Sequence, residues 1–115
     1  MSETTIFDKI LAKEIPADVV YEDDAVLAFK DINPQAPTHI LVIPKKRIPG
    51  YADLLAESDA FVGDYMKKVA KVAQELGLNG DGYRIVFNYG KNGQQTVNHI
   101  HAHILGGRGM SWPPG

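Results

Sequence analysis

Apolar positions recur at two periods along this chain, and the changes of period mark its elements. Ile6, Phe7, Ile10 and Leu11 share one face of a short helix, capped by Thr4 or Thr5 and stopped by Pro16. Asp18–Glu22 and Ala25–Lys30 then read as two strands joined by a turn at Asp23-Asp24. A loop with two prolines, Asp31 to Pro37, leads into a third strand, Thr38–Ile43, apolar enough to be central. Ser58 caps the main helix, with Asp59 in its first turn. Phe61, Tyr65, Val69, Val72, Ala73 and Leu76 carry its 3.6-residue stripe until Gly77 ends it. Tyr83–Tyr89 alternates as a fourth strand and Val97–Leu105 as a fifth. Short links between successive strands predict a five-stranded antiparallel meander, with the long helix over one face and a short N-terminal helix. This is an α+β fold.

The fifth strand carries an unusual polar set. His99, His101 and His103 are each two residues apart, so the strand period puts them on one face, while Ile100, Ala102 and Ile104 face a core. Neighbouring imidazoles there stand roughly 6.6 to 6.8 Å apart at their Cα atoms, a ridge able to line an anionic ligand or hold a metal. A single strand histidine is ordinarily structural, but three on one face each need partners for two ring nitrogens. The fourth, His39, shares a face with Leu41 and Ile43, where a lone histidine reads as a satisfied core group. Just ahead of the ridge, Asn88 to Thr96 gathers two glycines, several amides and a hydroxyl. Most such links are plain turns; beside three histidines, this one could aim amides at an anion.

Composition narrows the partners. A chain of 115 residues makes one domain, spanning 1–115, and 44% apolar residues suffice for a core. Mixed charges summing to −2 argue against a long nucleic acid held on a basic surface, yet leave a nucleotide open. The tetrapeptide Pro44-Lys45-Lys46-Arg47 reads as a solvated loop. Without cysteine there is neither a disulfide nor a thiolate metal site. No apolar run approaches membrane-spanning length, and Met1–Thr5 lacks the start of a signal peptide, so a soluble cytoplasmic protein with no membrane partner is expected. The only tryptophan, Trp112, sits on a proline-stiffened tail and is most easily explained if it docks.

The run His99-Ile100-His101-Ala102-His103-Ile104-Leu105 resembles the His-φ-His-φ-His-φ-φ signature of the histidine triad superfamily. Thr5-Ile6-Phe7, Lys13-Glu14-Ile15-Pro16, Tyr21-Glu22-Asp23-Asp24 and Ala28-Phe29 extend the likeness, as do Pro34 to His39, Val42 to Lys46 and Leu105 to Arg108. These resemble the branch of histidine triad nucleotide-binding proteins, and the ending Trp112-Pro113-Pro114-Gly115 is similar to that of its animal members. The resemblance implies a homodimeric purine nucleoside phosphoramidase, acting on adenosine 5′-phosphoramidates and aminoacyl adenylates and binding AMP. It implies no metal or other cofactor. By position it makes His101 the nucleophile, with His99, His103, His39 and Thr96 in the catalytic group. Asp31 would bind ribose, and Ile6, Phe7, Phe29, Ile32 and Leu41 the base, with Ile10 and Lys30 beside them. Asn88, Gln94, Gln95, Thr96 and His103 would contact phosphate. The tail, 108–115, would dock at the dimer interface and bring Trp112 toward a nucleotide site. Two positions depart from the branch: Gln94 stands where a second glycine is usual, and Thr96 where serine is frequent.

Three other readings compete. His-x-His on a strand is a zinc geometry, with His39 as a further ligand. The same fold could bind nucleotides without turnover, or hydrolyse dinucleoside polyphosphates.

Overall fold

The computed structural model describes residues 4–115. Helix α1 spans Ile6–Leu11, and strands β1, β2 and β3 span Val19–Glu22, Val26–Lys30 and Thr38–Pro44. A 3-10 helix at Tyr51–Ala56, absent from the sequence reading, leads into helix α2 at Asp59–Glu75. Strands β4, Tyr83–Val86, and β5, Ala102–Gly106, complete the sheet. Ser58 caps α2 as expected, its Oγ accepting from the Phe61 amide at 3.1 Å.

All neighbouring strands run antiparallel, but the order is β1-β2-β3-β5-β4, so the expected meander is corrected at its end. The long connection through α2 delivers the chain to the sheet's edge, and β5 returns between β3 and β4. Burial explains the order. A central strand must be covered on both faces. In β5, Ala102 and Ile104 are fully buried and His103 and Leu105 half-buried, whereas Tyr83 and Ile85 of β4 are exposed.

The sheet separates two apolar layers. Val26, Ala28, Ile40, Val42, Ala102 and Ile104 pack against Tyr65, Val69, Val72 and Ala73 of α2. Tyr65 also donates its hydroxyl to the Val42 carbonyl at 2.7 Å. On the opposite face Leu27, Phe29, Leu41 and Ile43 pack with Phe7 of α1. That helix is too short to cover the whole face, and the histidines occupy what it leaves.

The histidine strand is shorter than its alternation predicts, since β5 begins only at Ala102. Continuing the β3–β5 register would set Ile100 opposite Pro44, which has no N–H to give a ladder. The chain leaves the sheet there. The Ile100 amide donates to Ile48 O at 2.6 Å, and the His99 ring donates from Nε2 to Pro44 O at 2.8 Å. Ile100 still joins the α2-side core, as the alternation required.

Candidate active site

Helix α1, β2, the 31–37 loop and the start of β5 enclose a cavity of about 500 Å³. Phe7, Phe29 and Leu41 form its buried apolar floor, and Ile6, Ile10 and Ile32 its more open walls. Its polar lining is Lys30, Asp31, Thr96, His101 and His103. Sequence reasoning missed Ile15, Pro16, Ala17 and Val97, which also line it. The sequence marks Pro16 as a helix stop, and no pattern in the 15–17 segment predicts that it folds back beside α1.

The position of α1 follows from its first turn. Thr5 Oγ1 accepts from the Asp8 amide at 3.2 Å, and Asp8 Oδ2 accepts from the Thr5 amide at 2.8 Å. Asp8 also pairs with Arg47 at 3.2 Å. So tethered, Phe7 meets Phe29 edge-on at 5.6 Å between centroids and His101 edge-on at 5.0 Å.

Hydrogen bonds to backbone determine where the protons of three imidazoles lie. A carbonyl only accepts, so His101 Nδ1, 2.8 Å from His99 O, carries the proton and Nε2 keeps the lone pair. His39 is oriented from its other side. The Gln35 amide donates to His39 Nδ1 at 3.0 Å, which puts the proton of the neutral ring on Nε2. That Nε2–H donates to His103 Nδ1 at 2.9 Å, with Asp31 Oδ2 at 3.5 Å. His103 must then carry its own proton on Nε2. One lining histidine therefore offers a nucleophilic lone pair and its neighbour, 5.0 Å away between centroids, an N–H donor.

Burial pulls all four imidazoles below the ordinary histidine pKa. For His101, the His99 carbonyl and then Asp31 oppose that effect without cancelling it. His103 is pushed down to about 4, by burial first and then by His101 and His39. Near pH 7 the cluster is neutral. His99 is fully buried behind the cavity; it presents its carbonyl to His101, while its Nδ1 has no hydrogen-bond partner among the described residues.

The 88–96 loop places its residues unequally. Thr96 reaches the cavity wall; Asn88, Gln94 and Gln95 do not line it. Asn88 Nδ2 donates to Gly93 O at 2.7 Å, and Gln95 Nε2 to Pro49 O at 2.7 Å and Val97 O at 2.9 Å, so both amides brace the loop. Gly93 is required where it stands, because a Cβ would lie 2.3 Å from Tyr89 O. Gln94 has a φ of +58°, a conformation glycine adopts far more readily. Trp112 also lies away from its own chain's cavity and is 81% exposed. Arg84 stacks over its ring at 5.8 Å and donates to Ser111 O at 2.9 Å.

A five-stranded sheet sets a histidine cluster beside an aromatic-floored cavity, an arrangement able to hold a small ligand against imidazole nitrogens. The chain belongs to the HIT domain family, which matches residues 12–110. It is similar to the purine nucleoside phosphoramidase of Escherichia coli, at 52% identity over 94% of this chain and 91% of that one. It is 59% identical to the 14 kDa zinc-binding protein of Zea mays, over 96% of this chain and 88% of that one. The crystal structure of a HIT family hydrolase from Legionella pneumophila superimposes with a TM-score of 0.91 at 50% identity, covering 97% of this chain and all of the other.

Proposed function

We propose that this chain is a purine nucleotide-binding hydrolase that cleaves the P–N bond of adenosine 5′-phosphoramidates and also acts on aminoacyl adenylates. The observation that carries the reading is the pair of proton positions at the cavity, a lone pair on His101 Nε2 beside an N–H on His103 Nε2. The 52% identity to the E. coli phosphoramidase supports the substrate class.

The base lies among Phe7, Phe29, Leu41 and the isoleucine walls, and Asp31 accepts from the ribose hydroxyls. His101 Nε2 attacks the α-phosphorus. The new P–N bond to the imidazole forms as the bond to the amine breaks, and the amine departs with a proton delivered through Thr96 or His103. His99 O stabilises the imidazolium through Nδ1–H. The His103 N–H and the Thr96 end of the loop meet the charge on the non-bridging oxygens. Water then attacks phosphorus, releasing AMP and restoring neutral His101. In this scheme Asn88 and Gln95 hold the loop in place. The second chain of a homodimer supplies Trp112, and the setting is cytoplasmic. Among the described residues no helix is long and apolar enough to cross a membrane.

The maize relative's name raises zinc. Asp31, His39 and His103 could each bring a ligand atom within 4.8 Å of the others. However, the Gln35 amide occupies the lone pair of His39 Nδ1 and the proton sits on Nε2, so neither nitrogen of the neutral ring can ligate. The arrangement does not fit the ion, and the proposed chemistry passes through none.

Steady-state rates on adenosine phosphoramidate and diadenosine polyphosphate, for wild type and His101→Ala, test the proposal. The expected result is turnover of the phosphoramidate that falls by several orders of magnitude in the variant, with AMP binding retained. Preference for the polyphosphate identifies a dinucleoside polyphosphate hydrolase, and binding without turnover in wild type identifies a nucleotide-binding module.

A further inference from the structure

The chain that follows β5 turns back onto the 31–37 loop. Arg108, exposed and outside the cavity, donates to the Gln35 carbonyl from Nη2 at 2.9 Å and from Nε at 3.3 Å. Beside it Gly107, at φ +89°, packs so closely that a Cβ would lie 2.8 Å from Pro37 Cβ. Two adjacent residues therefore hold the same loop by different means, a forked cationic donor and a bare Cα.

That loop sets the histidine pair. The amide of the residue whose carbonyl Arg108 grips is the donor to His39 Nδ1. Asp31, at the loop's start, places Oδ2 3.5 Å from His39 Nε2 and accepts the Asn33 amide on Oδ1 at 2.8 Å. Within the loop, Gln35 Nε2 bonds Asn33 O at 3.0 Å. The segment is exposed from Ile32 to Gln35 and is held by these bonds and by the Asp31 amide, which donates to His39 O at 3.0 Å.

We propose that Arg108 is a positioning residue: by holding Gln35 O it keeps the Gln35 amide on His39 Nδ1 and so keeps His39 and His103 each in one tautomer. If the grip is lost, His39 Nδ1 no longer has an obligatory donor. Its proton can move to either nitrogen, and the His103 Nε2–H ceases to be the only form. Asp31 loosens with the loop. The route also links the tail to the site within one chain, because Arg108 opens the segment that carries Trp112. The consequence for ligand binding rests on the nucleotide-site reading above; the tautomer itself does not.

The test compares wild type, Arg108→Ala and Arg108→Lys by long-range ¹H–¹⁵N correlation of the ring nitrogens in free protein, followed by AMP titration. Wild type should show His39 and His103 protonated at Nε2 alone. Arg108→Ala should show averaged nitrogen shifts at both rings, with an AMP Kd raised about tenfold, the scale of one lost charge-assisted bond. Arg108→Lys, which keeps the charge but loses the forked donor geometry, should fall between. Should Arg108→Ala fail to fold, Arg108→Gln carries the same readout. Unaltered single tautomers in the alanine or glutamine variant overturn the proposal, whatever the affinity. Averaged tautomers in a protein whose phosphoramidate turnover survives His101→Ala would instead uphold it and reject the catalytic reading.

Discussion

The proton positions of His101 and His39 follow from two backbone contacts whose donor and acceptor cannot exchange roles, and that of His103 follows from its bond to His39. Those neutral rings make stability depend on pH. His103 titrates near 4 when folded, against about 6.5 in the unfolded chain. Between these values only the unfolded chain takes up the proton, so stability is complete above about pH 6.5 and is lost as pH falls through about 4. The loss should be about 2 kcal/mol for this ring after allowance for its partial exposure, with the other three depressed histidines adding in the same direction. Urea unfolding at pH 7.5 and 4.5 measures it, and a His103→Asn variant should show a shallower dependence. Asp31→Ala should weaken AMP by about 1.5 to 3 kcal/mol if the carboxylate binds ribose, which calorimetry reads directly.

Among the elements, the 88–96 loop carries the clearest conflict between residue and conformation. Gln94 occupies the left-handed region beside a glycine that cannot be replaced. Gln94→Gly should therefore raise stability by about 0.5 to 1 kcal/mol, strain relief exceeding the added freedom of the unfolded chain. Denaturant melts check the sign, and no change would mean the turn tolerates glutamine. Strand β5 shows how a neighbour limits an element. Its alternation runs from Val97, but Pro44 ends the ladder, so His99 and His101 sit on irregular backbone directed by the Pro44 and Ile48 carbonyls. Their shared side of the sheet was legible in the period of two; their individual bonds were not.

For the whole molecule, the expected homodimer draws support from β4, an edge strand that exposes Tyr83 and Ile85, and from a tail whose Trp112 is 81% exposed among the described residues, with Arg84 stacked on its ring. Light scattering should give twice the chain mass. Deleting 110–115 should leave a dimer that binds AMP but discriminates poorly between two phosphoramidates with different amines. A monomeric full-length protein would refute the association, and an unchanged rate ratio would refute the role of the tail.

The sequence by itself determined what depends on local period and covalent chemistry. The five strands, both α-helices, a cap at Thr4 or Thr5, the Ser58 cap and the core-facing side of Ile100, Ala102 and Ile104 were all readable from spacing. The grouping of His99, His101 and His103 was readable from the period of two, although His99 and His101 precede the strand that the period predicts. The order of the last two strands was not, because it depends on which strand can be buried on both faces once α2 has covered one side. Nor were the 3-10 helix and the 15–17 wall, whose positions depend on contacts distant in sequence. The tautomers lay furthest from reach. His39 and His103 are 64 residues apart, and the proton between them is directed by a loop amide and, as proposed, by an arginine 73 residues from the carbonyl it holds. Only folding brings those groups within hydrogen-bond distance, and at that range direction as well as residue type decides the chemistry.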